Sequence, residues 1–208
     1  MMLQKGMKIL FQGDSVTDAG RTEYNPEGLG TGYPLLVSEL LRGKYPELEL
    51  ECVNRAVSGN RVRDLVQRWS EDTIALDPDL LFIEIGVNDT WRRFDSNDPT
   101  GAERFEEEYR SILVRTRRET HAGLVLISPF VLPINAERMS WEEDITAKIA
   151  AVERLAEEFG AVYIPLQDIL RELAEKNGMI TFYAGDGVHP TFAGHQVIAG
   201  EVLKVLER

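Results

Sequence analysis

The sequence predicts a three-layer α/β/α domain built on a five-stranded parallel sheet. Three observations carry that expectation. Short apolar runs alternate with stretches of helical period along the whole chain, as strand–helix crossovers between parallel strands require. The run Leu80-Leu81-Phe82-Ile83-Glu84-Ile85 is almost wholly apolar, as a parallel strand covered on both faces should be. No linker-like stretch and no internal repeat interrupts the 208 residues, a length that suits one domain with a sizeable core, so residues 1–208 are read as a single domain.

In chain order, the first strand is expected over 7–12. Its apolar centre, Ile9-Leu10-Phe11, stops at Gly13, and Asp14 and Ser15 follow. Residues 13–32 break the rhythm with Gly13, Gly20, Gly28, Gly30 and Gly32 and little periodicity. A loop of ~20 residues is uncommon in a compact domain and often functional, a disordered excursion being the other reading. A helix over 33–44 carries Pro34 near its start, where a missing N–H costs nothing. A strand over 48–53, a helix over 61–76 and a strand over 79–85 come next, then a second irregular stretch from Trp91 to Gly101. The helix over 101–120 aligns Phe105, Tyr109, Ile112 and Thr116 on one face. After a strand over 124–128, the helix over 139–159 does the same with Ile145, Ile149, Val152, Ala156 and Phe159. A strand over 161–166 and a helix over 167–176 precede the last helix, 191–207, which aligns Ile198, Val202, Val205 and Leu206.

Composition removes several function classes. A formal charge of −12 argues against a nucleic-acid partner, and runs such as Glu106-Glu107-Glu108 and Glu157-Glu158 read as solvated helix faces. Cys52 is the only cysteine, so no intrachain disulfide forms; its apolar strand pattern places it in the core. No run approaches a membrane span, and Ile9-Leu10-Phe11 is too short for a signal-peptide core, so the cytoplasm is the expected compartment. Trp141 and other aromatics could serve a homo-oligomer interface.

The chemistry gathers at strand ends. In an open α/β sheet, ligands bind beyond the carboxyl ends of the strands. Ser15 lies just past the first strand and is a candidate nucleophile. Serine attack on a carbonyl needs a base, a carboxylate that fixes the base's tautomer, and donors for the negative oxygen that develops. There are three histidines. His121 ends a helix beside Gly123 and reads as solvated. His195 falls inside the last helix and reads as structural. His189 lies in the loop Tyr183-Ala184-Gly185-Asp186-Gly187-Val188-His189-Pro190. Asp186 precedes it by three residues, so one tight turn could bring its carboxylate to Nδ1 and leave Nε2 facing outward. Taken alone, that pattern also describes a turn aspartate beside a surface histidine. Gly59, in Val57-Ser58-Gly59-Asn60, can present a bare backbone N–H. Asn88, in Ile85-Gly86-Val87-Asn88-Asp89, offers a side-chain NH₂. Each motif alone could be an ordinary turn with a helix cap. With strand order 2-1-3-4-5, however, Ser15, Gly59 and Asn88 converge at the switch point of the sheet.

Gly13-Asp14-Ser15, Gly59 in Ser-Gly-Asn, Gly86-Val87-Asn88-Asp89 and Asp186-Gly187-Val188-His189-Pro190 together resemble the four blocks of the SGNH (GDSL-type) hydrolases. Order and spacing match over essentially the whole chain. Val16 departs from the leucine that many members carry there, a change that touches packing rather than the triad. The resemblance implies a flavodoxin-like α/β/α fold and a serine esterase without metal or other cofactor. Ser15 would be the nucleophile and His189 the base, with Asp186 orienting it. The Ser15 N–H, the Gly59 N–H and the Asn88 side chain would form the oxyanion hole. Within the family the chain is most similar to bacterial carbohydrate acetylesterases, including acetylxylan esterases. Leu29-Gly30-Thr31-Gly32-Tyr33, Asn54-Arg55-Ala56-Val57-Ser58-Gly59-Asn60 running into Val62-Arg63-Asp64-Leu65, and Asn88-Asp89-Thr90-Trp91-Arg92 carry that similarity. The expected substrate is a small acyl ester, an acetylated sugar such as a xylo-oligosaccharide.

Trp91 and Asp14 are the expected substrate-binding residues. Trp91 could stack on a sugar ring or pack below its loop, and Asp14 also suits bracing the nucleophile turn. Three alternatives stand beside this reading. One is a thioesterase or lysophospholipase of the same superfamily. Another is a metal-dependent phosphoesterase using Gly13-Asp14 and Asp18. The last is a carbohydrate-binding protein that kept the fold without catalysis.

Overall fold

The computed structural model describes residues 3–207. Its strands are β1 (Lys8–Gly13), β2 (Glu51–Asn54), β3 (Leu80–Glu84), β4 (Gly123–Ile127) and β5 (Val162–Ile164). Every pairing is parallel and the order is β2-β1-β3-β4-β5, so the expected α/β/α architecture and its switch point between β1 and β3 are both present. β3 lies between β1 and β4 and is buried along its whole length, which is why its sequence is apolar at nearly every position. β2 is one of the two edge strands and buries only Asn54 fully. It starts at Glu51 rather than at 48 because Pro46–Leu48 close a 3₁₀ turn first.

Side chains alternate between the two faces of the sheet, and each face has its own core. Ile9, Phe11, Phe82 and Val125 pack with the helices Tyr33–Lys44 and Phe192–Leu206. Leu10, Leu81, Ile83 and Leu126 pack with the helices Val62–Asp72, Ala102–Glu119 and Glu142–Phe159. Phe11 stacks on Phe82 at 5.3 Å between ring centroids and meets Tyr33 edge-on at 5.6 Å. Among the described residues no helix is long and apolar enough to cross a membrane.

The structure corrects further details. The helix expected over 61–76 ends at Asp72, and a 3₁₀ turn, Ile74–Leu76, follows. At that break the Gln12 amide donates to the Asp72 carbonyl at 2.8 Å and to Thr73 Oγ1 at 2.9 Å. The helix expected over 139–159 is two, Ala136–Ser140 and Glu142–Phe159, with Trp141 at the joint. Trp141 is fully buried, 5.2 Å from Trp91 and 5.5 Å from Phe94 between ring centroids, so it is not available to a subunit interface. Trp91 is not in an irregular stretch but inside a helix, Val87–Asp95, that starts directly after β3. Residues 13–32 form neither a plain loop nor a disordered excursion. They contain two short helices, Ser15–Asp18 and Arg21–Tyr24, tied down by buried polar groups. Asn54 Nδ2 donates to the carbonyls of Thr17 at 2.8 Å and Leu29 at 3.0 Å, and Arg21 donates to that of Ala56 at 2.6 Å. Cys52 is half-buried beneath the Tyr33–Lys44 helix, and burial pushes its thiol up to about 11.

Phe82 sits at the centre of β3 and fills the core beneath the site. Phe82→Ala is expected to lower unfolding free energy by about 3–5 kcal/mol, read from urea titrations followed by circular dichroism.

Candidate active site

Because β1 lies between β2 and β3, the segments leaving the carboxyl ends of all three strands meet above the sheet. Ser15 opens the helix Ser15–Asp18, and Asp14 caps it, its Oδ1 accepting from the Val16 N–H at 3.1 Å. This turn holds the Ser15 hydroxyl in a cavity of about 440 Å³, together with Gly59, Asn88, Trp91, His189 and His195.

His189 Nε2 is 3.0 Å from Ser15 Oγ, and His189 Nδ1 is 2.6 Å from Asp186 Oδ2. The other oxygen of Asp186 accepts from the N–H groups of Val188 at 2.9 Å and His189 at 2.7 Å. The tight turn expected between Asp186 and His189 is therefore present, and it points Nε2 at the serine. Partial burial raises the Asp186 carboxyl, but hydrogen bonds from the His189 ring and these two N–H groups outweigh it and leave its pKa well below the usual range. The hydrogen bond to Asp186 raises the His189 ring above its ordinary value of 6.5, against a smaller opposing effect of burial. Two contacts fix the loop itself. Arg138 Nε donates to the Asp186 carbonyl at 3.0 Å, and the Leu132 N–H donates to that of Gly187 at 2.8 Å.

Gly59 has φ +83 and open space where a Cβ would stand, so its backbone faces the cavity without obstruction. Asn88 is buried at the start of its helix and donates through Nδ2 to the Asn60 carbonyl at 3.1 Å. That bond uses one of two amide protons and leaves the second for a ligand. Trp91 faces both the cavity and the core. It lines the cavity with its ring centroid 5.9 Å from that of His189, and it also stacks toward Trp141.

Residues 11–197 match the GDSL-like Lipase/Acylhydrolase family. The chain belongs to that family. It is 37% identical to an acetylxylan esterase of Geobacillus stearothermophilus, over 98% of this chain and 95% of that one. The crystal structure of Axe2, an acetylxylan esterase from the same organism, aligns with a TM-score of 0.86 at 36% identity, again over 98% and 95%. A putative GDSL-like lipase from Parabacteroides merdae aligns at 0.91 and 33% identity, over 97% and 96%. Catalytic mutants of Axe2 replace a serine, an aspartate or a histidine by alanine, and there too the aspartate stands three positions before the histidine.

Asp14 does not stand against substrate as expected. It is fully buried and directed into the protein rather than the cavity. Asp18 is equally enclosed and accepts from the Thr22 N–H at 3.0 Å, the Thr22 hydroxyl at 2.9 Å and the Ser58 hydroxyl. Its oxygens are thus spent on holding the Ser58 loop, and the described residues contain no cluster of three or more carboxylate, histidine or cysteine side chains that could hold a metal ion. His121 is exposed, as expected. Two residues of the site escaped the sequence reading. His195 lines the cavity although it lies in a helix, and Arg138 lies over the Trp91 ring at 4.6 Å while bracing the Asp186 loop. Arg138 has no sequence signal, whereas His195 follows His189 by six residues and opens the same final helix.

Beneath Ser15 lies a second polar feature. Asp14 and Glu84 are both fully buried, and among the described residues neither Asp14 Oδ2 nor either Glu84 oxygen receives a donor. Burial pushes Asp14 up to about 7 and Glu84 well above the usual range, the latter raised further by Asp14 beside it. One proton held between the two carboxyls satisfies both and avoids a buried double negative charge. The folded state then binds protons that the unfolded chain releases, so this pair costs stability as pH rises from the ordinary carboxylate range through about 7. Glu84→Gln keeps a neutral donor beside Asp14 and is expected to flatten that loss. Urea midpoints of wild type and variant from about pH 5 to pH 8 should diverge steadily as pH rises; parallel curves would show that the two carboxyls share no proton.

Proposed function

We propose that this protein is a serine esterase that removes acetyl groups from carbohydrates such as xylo-oligosaccharides through an acyl-enzyme on Ser15. Family membership makes it a carboxylic ester hydrolase. The observation that carries the mechanism is the unbroken chain Asp186–His189–Ser15, at 2.6 and 3.0 Å, opening into one cavity.

His189 Nε2 takes the hydroxyl proton as Ser15 Oγ attacks the acetyl carbonyl. The imidazolium that forms is stabilised by Asp186, which stays ionised because three donors already hold its charge. Negative charge develops on the carbonyl oxygen. The N–H groups of Ser15 and Gly59 and the free amide proton of Asn88 are its donors, already in place before the reaction begins. His189 then gives its proton to the departing sugar oxygen. In the second half a water loses a proton to His189, attacks the acetyl-serine and releases acetate and the free hydroxyl.

The Geobacillus relative supports the acetyl group and the sugar acceptor. The half-buried Trp91 offers an aromatic face at the rim of the cavity, suited to a sugar ring. The net charge of −12 favours a neutral substrate over a polyanion.

Ser15→Ala is expected to lose turnover of p-nitrophenyl acetate while keeping its unfolding midpoint, and wild type should prefer acetate to butyrate and octanoate. A variant that retains most of its rate would remove Ser15 as nucleophile. An octanoate preference would move the protein to long-chain acyl substrates. The acid limb of kcat/KM reports protonation of His189, so its midpoint should lie above the ordinary histidine value of 6.5. Asp186→Asn should lower kcat by roughly 10⁴ and shift that midpoint down, since the lost carboxylate no longer favours the charged ring. An unmoved midpoint would count against the pairing.

A further inference from the structure

Among the residues that line the cavity, His195 carries a buried polar ring that the proposed mechanism does not use. We propose that His195 is a substrate-positioning residue, whose Nε2–H donates a hydrogen bond to an oxygen of the sugar that carries the acetyl group. This deepens the esterase reading above and rests on it.

The tautomer follows from one contact. The backbone N–H of Tyr33 points at His195 Nδ1 at 3.2 Å. An amide N–H can only donate, so Nδ1 supplies the lone pair and the neutral ring carries its proton on Nε2. Among the described residues nothing pairs with Nε2, and Nε2 is not one of the enclosed atoms left without a partner. It therefore opens on the cavity that the ring lines. The orientation is also fixed. A Cβ at Gly32 would stand 2.6 Å from His195 Cε1, so the chain passes tight against the ring, and the Tyr33 ring stacks beside it at 6.5 Å between centroids. Burial pulls the ring down to about 4, so it stays a neutral donor and does not compete with His189 as base.

The reacting group shows what such a donor meets. An acetyl ester has two oxygens. The carbonyl oxygen belongs to Ser15, Gly59 and Asn88, and the ester oxygen belongs to His189. Any further donor in the cavity meets an oxygen of the alcohol part. A cavity of about 440 Å³ has room for that part beside the acetyl group. A neutral donor suits a sugar hydroxyl or ring oxygen, which carries lone pairs and no charge.

The test compares wild type, His195→Phe and His195→Gln on acetylated xylobiose and on p-nitrophenyl acetate, which has no sugar. Phenylalanine keeps a ring in the packing and removes the donor; glutamine returns an N–H on a side chain of similar reach. For acetylated xylobiose, His195→Phe should raise KM about fivefold to tenfold, the worth of one hydrogen bond. Its loss on p-nitrophenyl acetate should be several times smaller, and His195→Gln should recover part of the sugar-ester loss. Equal losses on both substrates, or an unmoved KM for the sugar ester, would overturn the proposal. Wild type that cleaves p-nitrophenyl acetate but no acetylated sugar would instead defeat the carbohydrate reading and this proposal with it. A second measurement needs no variant. Nitrogen-15 NMR of the wild-type ring should show the Nε2–H tautomer from about pH 5 to pH 8; an Nδ1–H or charged ring would overturn the assignment.

Discussion

The parallel pairing of Gly13 with Glu84 brings the end of β1 so close to β3 that a Cβ at Gly13 would lie 2.1 Å from the Glu84 carbonyl oxygen. Only glycine allows that approach, and the site is built outward from it. One residue past Gly13, Asp14 caps the nucleophile turn; four residues past Glu84, Asn88 enters the cavity from its own helix. β2, on the other side of β1, delivers Gly59. The final loop then has one task, to place a histidine over a serine whose position the sheet has already fixed.

Two carboxylate arrangements share this small volume and are opposite in character. Asp186 is partly exposed and surrounded by donors, so it remains charged. Asp14 and Glu84 are fully buried side by side, and burial favours their protonated forms, so a proton shared between them relieves the charge. Negative charge is thereby concentrated where an imidazolium forms and suppressed directly beneath the nucleophile. The acidity of the chain lies elsewhere, in solvated pairs such as Arg110 with Glu106 and Glu158, which contribute little to stability.

The two histidines of the final segment divide donor and acceptor roles by what each Nδ1 meets. At His189 it meets a carboxylate, so Nδ1 carries a proton and Nε2 is left as the basic nitrogen facing Ser15. At His195 it meets a backbone N–H, so the proton moves to Nε2. Six residues and one helix start separate two rings of opposite polarity in the same cavity.

The sequence by itself determined the layered fold, the serine, glycine, asparagine and histidine gathered in the cavity, and the aspartate behind that histidine. Apolar runs and the helical period of 3.6 are local properties, and glycine- and proline-marked turns after apolar runs locate the strand ends where ligands bind. Only the tertiary structure decided what crosses between elements. The short helix Val87–Asp95 holds just Val87, Trp91 and Phe94 as its apolar stripe, too few to stand out from a polar stretch. Trp141 reads as a free aromatic until Trp91 and Phe94 enclose it. Asp14 reads as a site residue until the approach of β1 to β3 seals it beside Glu84. His195 reads as a helix residue until a backbone N–H 162 positions away selects its tautomer. Burial and hydrogen-bond partners at such separations are set by packing, which no local pattern encodes.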